Sequence, residues 1–286
     1  MRLALVGAGR WGSRYLETMK RVSPDQAHAI TRIVRSTDFW EDMVYDDYEV
    51  DGVIIASPAS THYPIAAVTL ASGVPVLIEK PAALSSRETE GLWRLARGTR
   101  TLAMVGHQHI HAPAFVEMCR HLAPTEIVEI ACEAGGPGPF RMDCSELWDY
   151  APHDLAMVFT VLGLNARVSD IVASKDRSWK WTMRVGDLSP VPVSFQISNM
   201  LDEKRRCLHV RHRRHGDFVY DDRKPHGQKL TIDGDPIKIS EELPLDRMLD
   251  SFIHRIEAEE WDVPDLDLAV RIAETIEKVE RTPVMT

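Results

Sequence analysis

Lys80 stands between Glu79 and Pro81, directly after the apolar run Val74-Pro75-Val76-Leu77-Ile78. Further along, Asp149-Tyr150-Ala151-Pro152-His153 sets a carboxylate four residues ahead of an imidazole. An ammonium beside a reacting oxygen polarises it and stabilises alkoxide-like charge. A histidine takes the proton of a hydroxyl and returns it in the reverse direction. Hydride exchange at a hydroxyl or keto carbon needs both, together with a nicotinamide site. Asp149 is placed to orient His153 or to hold a neighbouring substrate hydroxyl. The plainer alternatives are a surface lysine and a helix-capping role for the Asp149–His153 group.

The spacing predicts a helix from Pro152 through Val161, with Pro152 as its first residue. His153 then falls in the first turn, where the helix dipole favours neutral imidazole. Asp154 is the competing carboxylate and is assigned to the amino terminus of that helix.

A nicotinamide site can be read at the other end of the chain. Leu3–Val6 is a short apolar strand, followed by Gly7-Ala8-Gly9-Arg10-Trp11-Gly12 and a helix through about Arg21. Gly7 permits a tight turn, Gly9 lets backbone approach a pyrophosphate, and Gly12 lets the helix pack on the strand. The helix amino terminus offers N–H groups to phosphate. After the second strand, Ala29–Val34, the chain reads Arg35-Ser36-Thr37, where an NAD site would carry an acid for the ribose hydroxyls. Arg35 can stack on adenine or pair with a 2′-phosphate, and Ser36 and Thr37 can donate to that phosphate. A solvated loop is the alternative. The cofactor expected is NADP or NAD, with NADP preferred, although Asp38, Glu41 and Asp42 oppose that preference electrostatically.

The elements that must position these groups follow from periodicity. Further strands are expected at Asp51–Ala56, Val74–Ile78 and Thr101–Val105, with helices at Tyr63–Ser72 and Ser86–Arg97, the latter capped by Ser85 or Ser86. Apolar strands alternating with helices predict an α/β protein whose amino-terminal part is a doubly wound parallel sheet of Rossmann type, residues 1–107. From residue 108 to 286 the pattern changes. Close-set strands with hairpin turns, between Ile127 and Tyr220, predict an α+β domain with a large open-faced, mostly antiparallel sheet. Two helices, about Pro244–Glu259 and Pro264–Glu280, close the chain. An uncovered sheet face is expected to leave an apolar patch that drives assembly into a dimer or larger.

The 286 residues, 44% hydrophobic, suffice for two cores, and the net charge of −9 argues against a nucleic-acid or anionic-membrane surface. The basic run Lys204–His215 goes against that balance. Its alternation with Cys207, Leu208 and Val210 predicts a strand with one solvated basic face, which can also meet an anionic substrate or a partner subunit. Cys119, Cys132, Cys144 and Cys207 show no paired metal spacing and no disulfide framework. No apolar run reaches the roughly 18 residues of a membrane span, and a strand beginning at Leu3 leaves no room for a signal peptide. The expectation is a soluble cytoplasmic protein. His107, His109 and His111 alternate, so a strand would put all three on one face. No cysteine or carboxylate completes a metal set there, and no metal is expected. A role lining the substrate cleft is preferred.

Several of these motifs together resemble the Gfo/Idh/MocA oxidoreductase family: Gly7-Ala8-Gly9-Arg10-Trp11-Gly12, Ala56-Ser57-Pro58-Ala59-Ser60-Thr61-His62, Glu79-Lys80-Pro81, Gly106-His107-Gln108, Asp149 with His153, and Pro244-Leu245 before a late helix. The resemblance implies a Rossmann domain followed by an open-faced sheet domain that pairs subunits into a homodimer or homotetramer. It implies cofactor contacts from Arg10, Trp11, Ser57, Pro58, His62 and Glu79 besides the glycines, and a cis Lys80-Pro81 bond. It places Gln108 and His109 with Lys80, Asp149 and His153 on a sugar, cyclitol or nucleotide-sugar substrate. The family often carries an arginine near His109 or His111, and none stands there in this chain. Two other functions fit the same residues: a cofactor-binding regulatory protein that catalyses nothing, and a glycosidase that oxidises its substrate transiently with held NAD.

Overall fold

The computed structural model describes residues 1–37, 50–138, 142–176 and 178–285. The chain divides into two compact units, Met1–Gln108 with Pro244–Ala273, and His109–Leu243 with Glu274–Thr286.

The first unit is built on five short parallel strands: β1 (Arg2–Val6), β2 (Ala29–Val34), β3 (Gly52–Ile55), β4 (Val76–Ile78) and β5 (Ala103–Val105), in the order β2-β1-β3-β4-β5. Residues on β1, β3, β4 and β5 are buried on both faces, which is why these strands read as continuous apolar runs. One face, with Val6, Ile55 and Ile78, packs on α2 (His62–Ala71) and α3 (Ser86–Thr99). The other, with Leu5, Ile54 and Leu77, packs on Tyr15 and Met19 of α1 (Arg10–Val22). Ser85 caps α3 by accepting from the Glu88 N–H at 3.2 Å. Because β2 and β3 flank β1 on opposite sides, the strand order reverses beside β1, where an open α/β sheet binds ligands.

One finding departs from the linear two-domain reading. Helix α6 (Pro244–Glu257) joins the first unit, because Leu245, Met248, Leu249, Phe252 and Ile253 complete the core on the α1 side of the sheet.

The second unit holds a nine-stranded, mostly antiparallel sheet in the order β13-β12-β11-β10-β6-β9-β8-β7-β14. Its strands are β6 (Ile127–Pro137), β7 (Val168–Lys175), β8 (Trp179–Val185), β9 (Val191–Ser198), β10 (Met200–His212), β11 (Gly216–Asp221), β12 (Leu230–Ile232), β13 (Asp235–Pro236) and β14 (Val284–Met285). Helix α4 (Pro113–His121) precedes them, and α5 (Glu146–Leu162) lies between β6 and β7 in sequence. Helix α7 (Asp265–Arg281) ends the chain's helical part. The alternating burial of β8 and β9 places Trp179, Trp181, Met183, Val193, Phe195 and Ile197 inside, with Trp181 and Phe195 stacked at 4.4 Å.

Among the described residues, the other face carries polar rows in place of the expected apolar patch. The register aligns His209, Ala131, Ser194, Thr182 and Val172 across five strands, and Cys207, Glu133, Gln196, Lys180 and Ser174 beside them. Polar side chains dominate these rows because period-two alternation sends each strand's apolar set to the covered side. The basic run is also divided by this alternation. Arg205 and Arg211 lie on the open face with His209, whereas Arg206 shares the covered face with Leu208 and Val210. Among the described residues no helix is long and apolar enough to cross a membrane.

Asp265, the first residue of α7, is packed inside the first unit. Burial raises its carboxyl to about 6, although Arg255 lies 4.0 Å away and the Val105 N–H donates to it at 3.3 Å. An acid with a raised folded pKa holds its proton more tightly when native, so stability is lost as pH rises from its ordinary 3.8 through about 6. Asp265→Asn removes the titration and keeps an oxygen for Val105. The variant should match the parent near pH 4 and exceed it by roughly 2–3 kcal/mol at pH 7. Urea denaturation at both pH values measures this, and equal differences at the two would refute it.

Candidate functional site

The first unit assembles the glycine turn and Lys80 from the ends of β1, β3 and β4. Gly7 has φ +103°, and a Cβ there would stand 2.7 Å from the backbone of Ala56 and Ser57. A Cβ on Gly12 would stand 2.0 Å from the Gly7 carbonyl oxygen. Strand, turn and helix are therefore pressed together where only glycine fits. A Cβ on Gly9 would meet nothing within 4 Å, so space lies open above the start of α1. Gly9 is also the N-cap and can bring no capping side chain to the first N–H groups. This arrangement fits a dinucleotide pyrophosphate. Arg10 is exposed, Trp11 is half-buried under the Arg14 guanidinium at 4.7 Å, and Arg35 and Thr37 are exposed beyond β2 with Ser36 half-buried. Asp38, Glu41 and Asp42 lie outside the described residues.

Lys80 is 8% exposed and the Lys80-Pro81 bond is cis. Side chains fix the residues on either side of it. The Tyr15 hydroxyl, on α1, donates to Glu79 Oε1 at 2.6 Å, and the Lys80 N–H meets Glu79 Oε2 at 3.2 Å. Burial, then the Glu79 charge, holds the Tyr15 hydroxyl well above its ordinary pKa, so it stays a donor. His62 is 1% exposed, with Nδ1 2.7 Å from the Pro81 carbonyl and Nε2 2.9 Å from the Ser57 carbonyl. Carbonyl oxygens only accept, so the ring satisfies both when each nitrogen carries a proton. Thr61 Oγ1 donates to the Pro58 carbonyl at 2.7 Å, which leaves Ser57 Oγ to donate to Thr61 at 2.7 Å.

In the second unit, Asp149 and His153 lie on α5, four residues apart and thus on one helix face. The helix begins seven residues before His153, at Glu146, with Ser145 as N-cap accepting from Trp148 at 3.5 Å, and Pro152 lies inside it. The first-turn dipole argument for His153 therefore does not hold, and Asp149 occupies the acidic first turn instead. Asp154 lies well inside the helix, away from the amino terminus assigned to it. It is fully buried and accepts from the Arg206 guanidinium of β10. His153 is 4% exposed, and its ring meets that of half-buried His109 edge-on, centroids 4.8 Å apart. His109 Nδ1 lies 2.9 Å from the hydroxyl of Tyr220, on β11, which burial pushes above its ordinary pKa and keeps a neutral phenol.

Gln108–His111 forms a 3-10 turn, so the three alternating histidines do not share a strand face; His107 is buried while His109 and His111 are half-buried. Among the described residues no group of His, Cys, Asp and Glu is arranged to hold a metal. Tyr15, Tyr220 and Arg206 were not legible as site residues. Each is an inward position of an amphipathic element, and only Arg206, a charge in an apolar alternation, carried a local signal.

A family model described as "Oxidoreductase family, NAD-binding Rossmann fold" matches residues 1–107. A UDP-N-acetylglucosamine 3-dehydrogenase of Acidithiobacillus ferrooxidans is 30% identical over 138 residues, 46% of this chain and 42% of its own. Inositol 2-dehydrogenase 2 of Saccharopolyspora erythraea is 31% identical over 143 residues, 43% and 40% of the two chains. The chain thus spans less than half the length of these two curated relatives. A crystal structure from Magnetospirillum magnetotacticum MS-1 superposes with TM-score 0.80 at 28% identity, over 97% of this chain and 98% of that one.

The Tyr15–Glu79 bond joins α1 to the residue before Lys80. Tyr15→Phe keeps the ring and removes the hydroxyl from a buried carboxylate, at a cost of roughly 1.5–3 kcal/mol for a hydrogen bond to a charged group. Chemical denaturation should show that loss, and a change under about 0.5 kcal/mol would mean the bond carries nothing net.

Proposed function

We propose that this chain, whose residues 1–107 match the NAD-binding Rossmann model of the Gfo/Idh/MocA oxidoreductases, is an NAD(P)-dependent dehydrogenase or reductase of that family acting on a secondary alcohol or ketone of a sugar-like substrate. The observation that carries the reading is the retention of three groups in prepared settings: Lys80 buried after β4, and Asp149 with His153 one helical turn apart. A protein that only sensed its cofactor would need none of them. The names of the two curated relatives, one acting on a nucleotide sugar and one on a cyclitol, support the substrate class.

In this reading the bound nicotinamide supplies or accepts the hydride. Lys80 hydrogen-bonds the reacting oxygen and stabilises its developing negative charge. His153 takes the hydroxyl proton during oxidation and returns it during reduction, and Asp149 orients the ring or holds an adjoining hydroxyl. Gln108 and His109 contact the substrate, and Ser57, Pro58, His62 and Glu79 shape the cofactor side. A homodimer or homotetramer through the open sheet stays in the reading on the family resemblance, since the polar face gives it no apolar drive. Cytoplasmic location belongs to the same reading.

Two measurements test it. Lys80→Met and His153→Ala should each lower turnover roughly 100-fold or more, the scale of a lost acid–base group, while cofactor affinity changes far less. Near-normal turnover in both variants would sink the assignment. For the cofactor, Arg35 with Ser36 and Thr37 favours NADP over NAD by about 10- to 100-fold, the worth of one charge-assisted bidentate contact. Calorimetric titration of both cofactors, repeated on Arg35→Ala, decides this. Equal or tighter binding of NAD by the unchanged protein would show that Arg35 reads no phosphate.

A further inference from the structure

The pairing of Arg206 with α5 goes beyond a link between helix and sheet. Its side chain is 6% exposed, and that of Asp154 is 1% exposed. One arm of the guanidinium donates to Asp154 Oδ1, and the other reaches the Tyr150 carbonyl at 3.5 Å. Tyr150 follows Asp149 and Asp154 follows His153, so one planar cation grips the helix at the residue after each proposed reactive group. The backbone of Arg206 is itself fixed, its N–H donating to Asp222 Oδ1 at 2.9 Å and its carbonyl accepting from the Asp222 N–H at 3.0 Å.

The helix needs such a hold at this place. Pro152 lies between the two gripped residues and has no N–H, so the bond that position would make to the Trp148 carbonyl is missing. An interior proline also crowds the carbonyl four residues back and bends the helix. The turn that carries Asp149 and His153 is therefore the one least supported by its own backbone. A guanidinium presents its donors in a fixed fork and can hold two acceptors at once, which an ammonium on a flexible stem does not.

We propose that Arg206 is a positioning residue for hydride transfer: its guanidinium, tied to Asp154 and the Tyr150 carbonyl, sets the geometry of Asp149 and His153 on the proline-interrupted turn. The proposal rests on the dehydrogenase reading for its catalytic consequence and on the ion pair alone for its structural one. It assigns no proton transfer to Arg206, which touches no reacting atom.

Three variants separate positioning from bulk stability. Arg206→Lys keeps the charge opposite Asp154 but loses the fork. Arg206→Met alone strands a buried carboxylate, a change that commonly prevents folding. Arg206→Met with Asp154→Leu removes both charges, and such replacements often restore stability. Two readouts are taken on the full chain: the ring signals of His153 in nitrogen-edited NMR, assigned through His153→Gln, and the kcat for oxidation of myo-inositol, D-glucose and UDP-N-acetylglucosamine with NAD and NADP.

In Arg206→Lys, with its melting temperature close to the parent's, the His153 signals should move and kcat should fall about tenfold or more, while cofactor affinity stays within about twofold. The double variant should recover its melting temperature and still show displaced His153 signals and low kcat. Unmoved His153 signals in a folded Arg206→Lys or double variant would overturn the proposal, as would restored kcat in the double. If the unchanged protein oxidises none of the substrates with either cofactor, the NMR readout still decides whether Arg206 positions His153, and the failure then belongs to the dehydrogenase reading.

Discussion

The carboxylate of Glu79 is buried at the end of β4, and much of the first unit is arranged around that constraint. A buried charge without hydrogen bonds is costly, and this one takes a tyrosine hydroxyl from α1 and the N–H of the next residue. Satisfying it ties the helix that opens at the glycine turn to the lysine after β4. His62 makes the matching connection on the far side, from the loop after β3 to Pro81. The backbone around Lys80 is thus held through its neighbours in sequence.

The second unit solves a similar problem with opposite charge. Asp154 has no exposed surface, and β10 meets it with the Arg206 guanidinium where the strand's alternation calls for an apolar residue. His109 and Tyr220 extend the polar island beside His153, in a layer otherwise filled by residues such as Phe218, Phe195 and Trp181. Buried polar groups that satisfy one another define a single arrangement more sharply than apolar contacts do.

The strand and helix layout was legible because both units obey their periodicities closely. The run at Ala29–Val34 is a strand over the same residues, and the helix expected from Ser86 begins there with Ser85 as its cap. Lys80 was visible from the apolar run before it. What stayed hidden were relationships between distant residues. Tyr15 and Glu79 are 64 positions apart, and Arg206 and Asp154 are 52 apart, and nothing local announces either pair. Pro152 misled because proline commonly opens a helix, whereas Ser145 three residues before Trp148 was the working cap. The open sheet face was expected to be apolar because nothing covers it, but the pleat sends the apolar half of each strand inward.

The placement of α6 bears on how the chain is made. Its five apolar residues close the core beneath α1, yet they follow the second unit's first 135 residues, His109–Leu243, in synthesis order. The amino-terminal sheet therefore leaves the ribosome with one flank unfinished, and Leu3, Leu5 and Ile54 wait for a helix that follows the whole of His109–Leu243. Closing that flank spans a long loop, which slows folding and prolongs the exposure of apolar surface. His109–Leu243 can meanwhile begin to condense among its own strands. A nascent chain truncated before Pro244 is thus the form most in need of chaperone protection.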